Sequence, residues 1–259
     1  MTNIRNALMQ AAGSASGDKV YVEDVFSIDL SVGTGSAITV NNGIDLDGEG
    51  GLVLWKRRDG AEDWAAVDTE RGVNNVLFPN ANLGNTSSGY ENYLLNSFNS
   101  NGFTTDAYTF ATNGKFVSYT FRKQAGFFDV VKFSTTGGGG TQAVSHSLGS
   151  IPGMIILKRL TSGGDQYWYV FHKSVTSPNS DWWTNYANLD LNGAFADWGS
   201  TSGITSAPTS SAITLSTYYT NTTADYVAYF FAEGGSDDQI FGDDGDKAII
   251  KTGTFQSSG

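Results

Sequence analysis

The distribution of apolar residues along the chain predicts short β-strands. The runs at 52–55 (LVLW) and 154–158 (MIILK) are bounded by glycine or Pro-Gly, which is typical of strands that are buried on both faces. Residues 116–121 (FVSYTF) and 226–231 (YVAYFF) alternate, so that successive side chains point to opposite faces of a sheet. Turn-forming residues separate these runs. The pattern favours an all-β chain built as an antiparallel β-sandwich or jelly roll.

Several of these runs occur twice. Residues 51–57 match 153–159 at a constant offset of 102, and 115–121 match 225–231 at an offset of 110. An offset that drifts indicates loops of different length on a shared set of strands. A period this long indicates a duplicated domain, because solenoid repeats are much shorter. The sequence therefore predicts two tandem, jelly-roll-like β-sandwich domains.

The predicted organisation has four parts. The duplicated domains occupy 20–124 and 125–235. Residues 1–19 form a docking segment with a short helix, because apolar residues at its start share one helical face. Residues 236–259 contain an acidic loop and a terminal strand that is similar to the start of the second domain. This strand either opens a third unit or pairs elsewhere, and we expect both it and 1–17 to make contacts between chains or domains.

Charge and composition exclude several classes of protein. The net charge is −11 and the chain has only 15 Lys and Arg, so it lacks the basic surface that binds nucleic acid or an anionic membrane. There is no Cys, which excludes disulfides and thiolate metal sites. No apolar run is long enough for a membrane span, and the first residues lack the apolar centre of a secretory signal.

Three segments carry a resemblance to a known class of protein. Residues 7–59, 119–138 and 144–159 resemble the repeated virion-structural or tail-fibre-like proteins of marine tailed bacteriophages, and 119–138 is the most specific of them. The resemblance covers essentially the whole chain. It implies a non-enzymatic, β-rich virion component and brings no catalytic residues.

Candidate catalytic residues have structural interpretations that we favour. The chain has two histidines, His146 and His172, and no nucleophile-elbow motif. Asp68 and Glu70 are two residues apart and would face one side of a strand, as the paired carboxylates of a glycoside hydrolase can. No other motif supports this pair. We therefore expect a solvated strand face, and a carbohydrate-active depolymerase is the alternative function.

The acidic loops offer hard oxygen ligands beside glycines. Asp45, Asp47 and Glu49 are the candidate calcium ligands, and no other cofactor is expected. Their spacing does not fit an EF-hand loop, and the same residue types form turns without metal. Turn formation is the favoured interpretation. A second loop, 137–140, is all glycine and is predicted to be a flexible hairpin connection.

Two pairs of basic residues recur at the ends of equivalent strands. They are Lys56 with Arg57 and Lys158 with Arg159. Because they occur in both domains, a role in the fold is favoured over an anion site. We expect their stems to cover an apolar edge while their charged groups pair with carboxylates.

An aromatic-rich insertion distinguishes the second domain. Residues 180–199 contain Trp182, Trp183, Tyr186 and Trp198 among Asp, Asn and Gly, whereas the matching part of the first domain has no Trp. Aromatic faces flanked by short polar side chains can stack on sugar rings, and these four residues are the candidate binding surface for a glycan or partner protein. The alternative is that they fill the core or a subunit interface.

These features predict a function outside catalysis. We expect a phage virion structural protein, in the tail or on the outer surface, that contributes to host attachment as part of a tail fibre. A capsid decoration or baseplate protein is a further alternative. The expected partners are other copies of the chain, with a trimer favoured, other virion proteins and a host-surface glycan. The sequence leaves open whether the natural chain continues beyond Gly259.

Overall fold

The computed structural model of the protein describes residues 19–84, 93–107, 109–163 and 166–253. The segment 1–17, where a helix is predicted, lies outside the described residues, as does the end of the predicted terminal strand. The described part is all-β, with antiparallel sheets and short helical turns. None of its helices is long and apolar enough to cross a bilayer.

The described residues form fifteen strands and a few helical turns. The strands are β1 (Phe26–Val32), β2 (Thr39–Asn41), β3 (Gly51–Arg57), β4 (Ala65–Asp68), β5 (Leu95–Asn99), β6 (Gly102–Thr105), β7 (Lys115–Arg122), β8 (Phe128–Ser134), β9 (Gln142–Ser145), β10 (Pro152–Arg159), β11 (Trp168–His172), β12 (Asn185–Asn188), β13 (Ala196–Asp197), β14 (Ala212–Leu215) and β15 (Asp225–Ala232). The helical turns are α1 (Val22–Val25), α2 (Thr217–Thr220) and the 3-10 turns Trp182–Thr184 and Ser236–Asp238.

The strands assemble into four sheets. The first large sheet has the order β1-β7-β3-β4, and the second has the order β13-β12-β11-β10-β15-β8. Two smaller sheets have the orders β2-β6-β5 and β14-β9. Strands up to β7 form one large and one small sheet, and the later strands form the other two. We call these two groups the first and second units.

The strand order around the repeated runs is the same in both units. β7 lies between β1 and β3, and β15 lies between β8 and β10. Leu52 is opposite Phe121 across the first pair, and Met154 is opposite Phe231 across the second. The sequence offsets of 102 and 110 therefore hold in the registers of these strands.

Three apolar cores separate the four sheets. The first core lies between the two sheets of the first unit and includes Trp55, Leu95, Phe103 and Phe116. The second core lies between the two sheets of the second unit and includes Ile155, Phe171, Ile213, Leu215 and Phe230. The middle core joins the large sheets of the two units and includes Leu52, Ala66, Phe128, Trp168 and Phe231. Each large sheet is thus covered on both faces over much of its area.

Burial on two faces explains the apolar runs. Seven of the eight residues of β15 are buried, and β3 and β10 are largely buried as well. This confirms the prediction for 52–55 and 154–158. β7 alternates as predicted, with Phe116, Ser118 and Thr120 buried and the intervening side chains half-buried. Its buried Thr120 hydroxyl accepts a hydrogen bond from the Asn42 amide at 2.8 Å.

A buried ion pair crosses the middle core. The Asp68 carboxylate lies 2.6 Å from Nε of Arg71, and both side chains are essentially inaccessible to solvent. The hydroxyl of Tyr229, on the second unit, donates to the same carboxylate at 2.7 Å. Burial raises the pKa of Tyr229 well above its ordinary value, so this hydroxyl remains a donor. The prediction of a solvated face at Asp68 is therefore wrong, and this residue joins the two units.

The repeated basic residues differ from the prediction in one unit. Lys158 is fully buried, its ammonium donates to the Gln166 carbonyl, and it lies 5.2 Å from the ring centroid of Trp168. Burial lowers the pKa of Lys158 to about 8. Among the described residues its ammonium forms no ion pair with a carboxylate, since it faces the Gln166 carbonyl and the Trp168 ring instead. Arg57 does pair with carboxylates, those of Asp59 and Glu62.

The structure differs from two further predictions, one for a loop and one for the terminal strand. The glycines at 137–140 all have positive φ, but β8 and β9 belong to different sheets, so this loop is a crossover and the hairpin prediction is wrong. Residues 248–253, the described part of the predicted terminal strand, form no strand. Ile249 and Ile250 pack on the middle core, and the Thr252 amide donates to the Glu233 carbonyl at 2.9 Å.

Candidate binding surface

An aromatic cluster lies at one side of the second unit. It consists of Tyr169, Tyr186, Trp198, Tyr218 and Tyr219. β11 and β12 contribute the first two residues, Trp198 follows β13, and α2 supplies the two adjacent tyrosines. Because β11, β12 and β13 are neighbours, residues distant in sequence meet on one face.

The rings of the cluster are arranged at stacking and edge-on angles. Tyr186 and Trp198 are stacked, with centroids 4.0 Å apart and an interplanar angle of 26°. Tyr218 lies 4.8 Å from Trp198 and is 40% exposed. The hydroxyls of Tyr169 and Tyr218 are 2.9 Å apart and share a hydrogen bond. The cluster thus has a rigid base and an exposed rim.

Trp198 depends on a glycine for its position. Gly203 has φ of +71°, and a Cβ at this position would lie 2.4 Å from the Trp198 ring. The left-handed backbone and the close approach both require glycine. The backbone amide of Trp198 donates to the Thr184 carbonyl at 3.0 Å, which connects the backbone at Trp198 to the 3-10 turn.

Polar side chains fix the loop beneath the cluster. The fully buried Asn185 amide donates to the carbonyls of Val175 and Asn179, at 2.9 and 2.6 Å. Asp197 accepts from the Gly199 amide at 2.7 Å and from the Asn179 side chain at 3.1 Å. Hydrogen bonds from Thr184 and then from these groups lower the pKa of Asp197. The carboxylate is therefore held ionised at neutral pH as part of the scaffold.

A buried hydroxyl lies behind the exposed ring. Tyr219 is 1% exposed, and its hydroxyl has no hydrogen-bond partner among the described residues. Burial raises the pKa of Tyr219 well above its ordinary value. The ring packs against Tyr169 and Trp198, so Tyr219 belongs to the base of the cluster rather than to its rim.

The four residues singled out from the sequence take different positions. Trp182 is buried in the second core, at 8% exposure, so its assignment to the binding surface is corrected by the structure: the 3-10 turn directs it inward. Trp183, Tyr186 and Trp198 are half-buried on the same core. Trp182 and Trp183 are in edge-on contact at 6.2 Å.

The sequence interpretation missed three members of the cluster. Tyr169 belongs to the run WYVFH, and Tyr218 with Tyr219 forms the only adjacent tyrosine pair in the chain. That pair was a signal of an aromatic surface. The sequence does not show its proximity to β11 and the insertion, because Tyr169 and Tyr218 are 49 residues apart in the chain.

The predicted calcium ligands do not come together. Asp45 accepts from the Gly48 amide at 2.8 Å, as in a turn stabilised by an aspartate side chain, while Asp47 and Glu49 are exposed. Among the described residues no three His, Cys, Asp or Glu side chains form a group that could hold a metal ion. The described geometry at Asp45 therefore matches the favoured turn interpretation.

The other titratable candidates have structural partners. His146 is buried, its ring lies 4.5 Å from Phe230, and desolvation lowers its pKa. His172 accepts from the Ser174 amide through Nδ1. Glu70 lies beyond the end of β4 and pairs with Lys123 at 2.8 Å, whereas Asp68 is buried. The two carboxylates therefore do not share a face, contrary to the prediction, because the strand ends before Glu70.

Comparison with known proteins identifies one family. Residues 106–236 match the model of a family described as a domain of unknown function (DUF7483). The match runs from the end of the first unit through β15 and contains the aromatic cluster. No match was found among curated proteins or solved structures. Since the matched residues make up just over half of the chain, the protein belongs to the DUF7483 family.

Proposed function

We propose that the protein is a non-enzymatic structural component of a tailed-phage virion, on the tail or outer surface, and that its second unit contributes to host attachment by binding a glycan. The observation that carries this proposal is the aromatic cluster, with the stacked Tyr186 and Trp198 and the exposed Tyr218. Aromatic faces beside short polar side chains suit sugar rings, which present both CH groups and hydroxyls. The resemblance to tail-fibre-like proteins supports the setting.

We also propose that the chain consists of two tandem β-sandwich domains from an internal duplication, at 20–124 and 125–235. The common strand order and the matched registers of β3 with β7 and β10 with β15 support this proposal. In this interpretation the first unit is a rigid support, and the insertion at 180–199 gives the second unit its binding surface. The protein is expected to act as a homo-oligomer, with a trimer favoured.

The binding interpretation is preferred over a depolymerase for a specific reason. Asp68, the better placed of the two candidate carboxylates on a strand, is 0% exposed and pairs with Arg71. Glu70 forms an ion pair with Lys123. The cluster, in contrast, combines exposed aromatic surface with a scaffold fixed by Asn185 and Asp197. These contacts favour recognition of a sugar without its cleavage.

The proposal is tested by adsorption of the purified protein to host cells and to their surface polysaccharide. We expect Trp183→Ala and Tyr218→Ala each to weaken adsorption several-fold. Tyr218→Ala should change the melting temperature little, because this ring is 40% exposed, whereas Trp183→Ala should lower it, because this ring is half-buried on the second core. Phe98→Ala is a matched control, since it removes a half-buried aromatic ring from the first unit. Equal adsorption by all three variants and the unchanged protein, or release of reducing ends from the polysaccharide, would contradict the proposal.

A further inference from the structure

The first large sheet has an exposed apolar area, which we call the open face. It consists of Ile28, Leu30, Val32, Trp64, Val117 and Tyr119. The three β1 residues are 56%, 68% and 58% exposed. Ile28 is opposite Tyr119, and Leu30 is opposite Val117, so their side chains share one face. A contiguous apolar area of this kind on a folded protein indicates an interaction site.

The second unit has an equivalent face that is covered. The rings of Trp64 and Tyr119 lie 6.0 Å apart, and those of Trp168 and Tyr229, at the equivalent positions, lie 6.1 Å apart. Trp168 and Tyr229 are each 2% exposed, whereas Trp64 and Tyr119 are half-buried. This part of the face is therefore an interface in the second unit and open in the first, whereas Leu52 and Phe121, further along the same face of the first unit, pack in the middle core.

The apolar residues of the open face are not required by the fold. Leu30 and Val32 of β1 correspond to Lys132 and Ser134 of β8, which are exposed in the same places beside β15. A strand at this sheet edge thus accepts polar side chains at these two positions. Their apolar character in the first unit has another reason.

The turn at 78–81 of the first unit covers the equivalent face of the second unit. The indole nitrogen of Trp168 donates to the Phe78 carbonyl at 2.9 Å. The same carbonyl accepts from the Ala81 amide at 3.0 Å and so closes the turn. Next to it, Tyr229 donates to Asp68. The first unit thus covers this face of the second unit with the turn at 78–81 and with the buried hydrogen bond between Asp68 and Tyr229.

The second unit has its own copy of this turn, at 188–191. The Leu191 amide donates to the Asn188 carbonyl at 3.4 Å, as Ala81 does to Phe78. The Trp168 amide donates to the Asp190 carboxylate at 3.2 Å, and the Trp64 amide donates to the Asn80 side chain at 3.0 Å, so the two turns also hold equivalent positions relative to their own units.

The turn at 188–191 presents two exposed apolar side chains. Leu189 and Leu191 are 50% and 51% exposed. Asn188 and Asp190 each have a buried side-chain atom without a hydrogen-bond partner among the described residues. The chain therefore carries an uncovered face and an uncovered copy of the turn that covers such a face.

We propose that the open face of one copy of the chain receives the turn 188–191 of a second copy, repeating between chains the contact that joins the two units within a chain. In this contact the Trp64 indole nitrogen donates to the Asn188 carbonyl, and Leu189 and Leu191 pack on Leu30 and Tyr119. In a head-to-tail arrangement each chain offers its open face to one neighbour and its turn to another, which forms either a closed ring, such as a trimer, or a filament, and the mass of the unchanged protein then exceeds that of two chains. This inference does not depend on glycan binding.

The test uses one variant for each surface and measures mass by sedimentation velocity over about 1 to 100 µM, the range of transient interfaces. The face variant, Leu30→Lys with Val32→Ser, introduces the residues that the second unit already has at these positions. The turn variant is Leu189→Ser with Leu191→Ser. We expect the unchanged protein to exceed 27.6 kDa with increasing concentration and each variant to remain at 27.6 kDa, the mass of one chain.

Mixing the variants tests whether one intact face and one intact turn are sufficient for the contact. Each variant retains one intact surface, so an equimolar mixture forms a dimer of about twice the single-chain mass and grows no further. Circular dichroism melting checks the fold, and Ile28→Thr replaces the face variant if it melts early. The proposal is overturned if the unchanged protein stays at 27.6 kDa throughout, if the turn variant assembles as the unchanged protein does, or if the mixture does not dimerise.

Discussion

Three polar side chains in the middle core make unequal contributions to the contact between the units. Arg71 and Asp68 form a buried ion pair, and from the other unit the Tyr229 hydroxyl donates to Asp68 and accepts a longer hydrogen bond from Arg71. Removing one charge leaves the other buried and unpaired, whereas removing the hydroxyl leaves the pair intact. The order of their effects on stability therefore follows from the geometry.

We expect Asp68→Ala to lower the free energy of unfolding by about 3 to 5 kcal/mol and Tyr229→Phe by about 1 to 2 kcal/mol, measured by urea unfolding. Tyr119→Phe is the matched control, because Tyr119 holds the equivalent position on the open face. It should change stability by less than Tyr229→Phe. A larger effect of Tyr119→Phe would contradict the assignment of Tyr229 to a buried contact.

Lys158 makes stability depend on pH in the alkaline range. Burial lowers its pKa from 10.5 to about 8, so between these values the unfolded chain binds more protons than the fold. Stability therefore rises from pH 8 to pH 10, by up to about 3 kcal/mol. Above pH 10 it falls, because Tyr219 and Tyr229 keep their protons in the fold and lose them in the unfolded chain.

Lys158→Met should raise stability at pH 7 and remove the increase between pH 8 and pH 10, as measured from urea midpoints at each pH. The variant no longer buries a charge, and its apolar side chain suits the middle core. Lys56→Met, at the equivalent position of the first unit, should keep the increase. A rise of the same size in Lys158→Met would show that another group is responsible.

Individual residues were harder to place from the sequence than their types suggested. The sequence shows the apolar character of the strands, but it predicts a solvated face at Asp68 because the partner Tyr229 is 161 residues away. Trp182 and Trp183 are adjacent and similar, and only the 3-10 turn decides that the first is buried. Such assignments depend on tertiary contacts that no local pattern contains.

At Gly51 the strands β3 and β7 leave no room for a side chain. A Cβ at this position would lie 2.0 Å from the Phe121 carbonyl oxygen, a backbone atom that cannot move without displacing β7. Gly51, the first residue of the repeated run in the first unit, therefore has a packing role where β3 begins beside β7.

We expect Gly51→Ala to destabilise the protein by about 2 to 4 kcal/mol, since the clash is with backbone and the sheet must shift to relieve it. Gly193→Ala is the control, because a Cβ there has no neighbour within 4 Å. Thermal unfolding followed by circular dichroism measures both. If the two variants melt at the same temperature, the close approach is not a constraint on the sheet.

Strands were predictable where their burial was uniform, and connections were not. β3 and β10 were identified because burial on both faces makes a continuous apolar run, and β7 because its faces alternate. The glycines at 137–140 favour a hairpin because glycines suit tight turns. The strand after this loop, β9, joins a different sheet from β8. The tertiary packing of the strands decides this, and the glycine content of the loop does not indicate it.

The three apolar cores follow one another through the described part of the molecule, and both units contribute to the middle one. Leu52 and Phe128 belong to different units but to the same buried cluster. Loss of either unit exposes the face of the other. The two units should therefore unfold together.

We expect a single transition in differential scanning calorimetry, with the calorimetric and van't Hoff enthalpies in agreement. The Asp68→Ala substitution weakens the contact between the units and should broaden or split this transition. Phe98→Ala, which acts within the first core, should lower the midpoint without splitting it. Two separate transitions in the unchanged protein would show that the units are independent.

The connection between β7 and β8 has a mechanical consequence. Within it the Gln124 amide donates to the Phe128 carbonyl at 2.8 Å, the Gly126 amide donates to the Leu148 carbonyl at 2.7 Å, and Lys123 pairs with Glu70 on the first unit and Asp129 on the second. The hydrogen bonds and ion pairs at this connection, together with the middle core, hold the two units in one orientation. The connection therefore transmits torque between the units and does not act as a hinge. In a head-to-tail assembly of such chains, flexing is therefore concentrated between neighbouring chains, and each chain moves as a stiff segment.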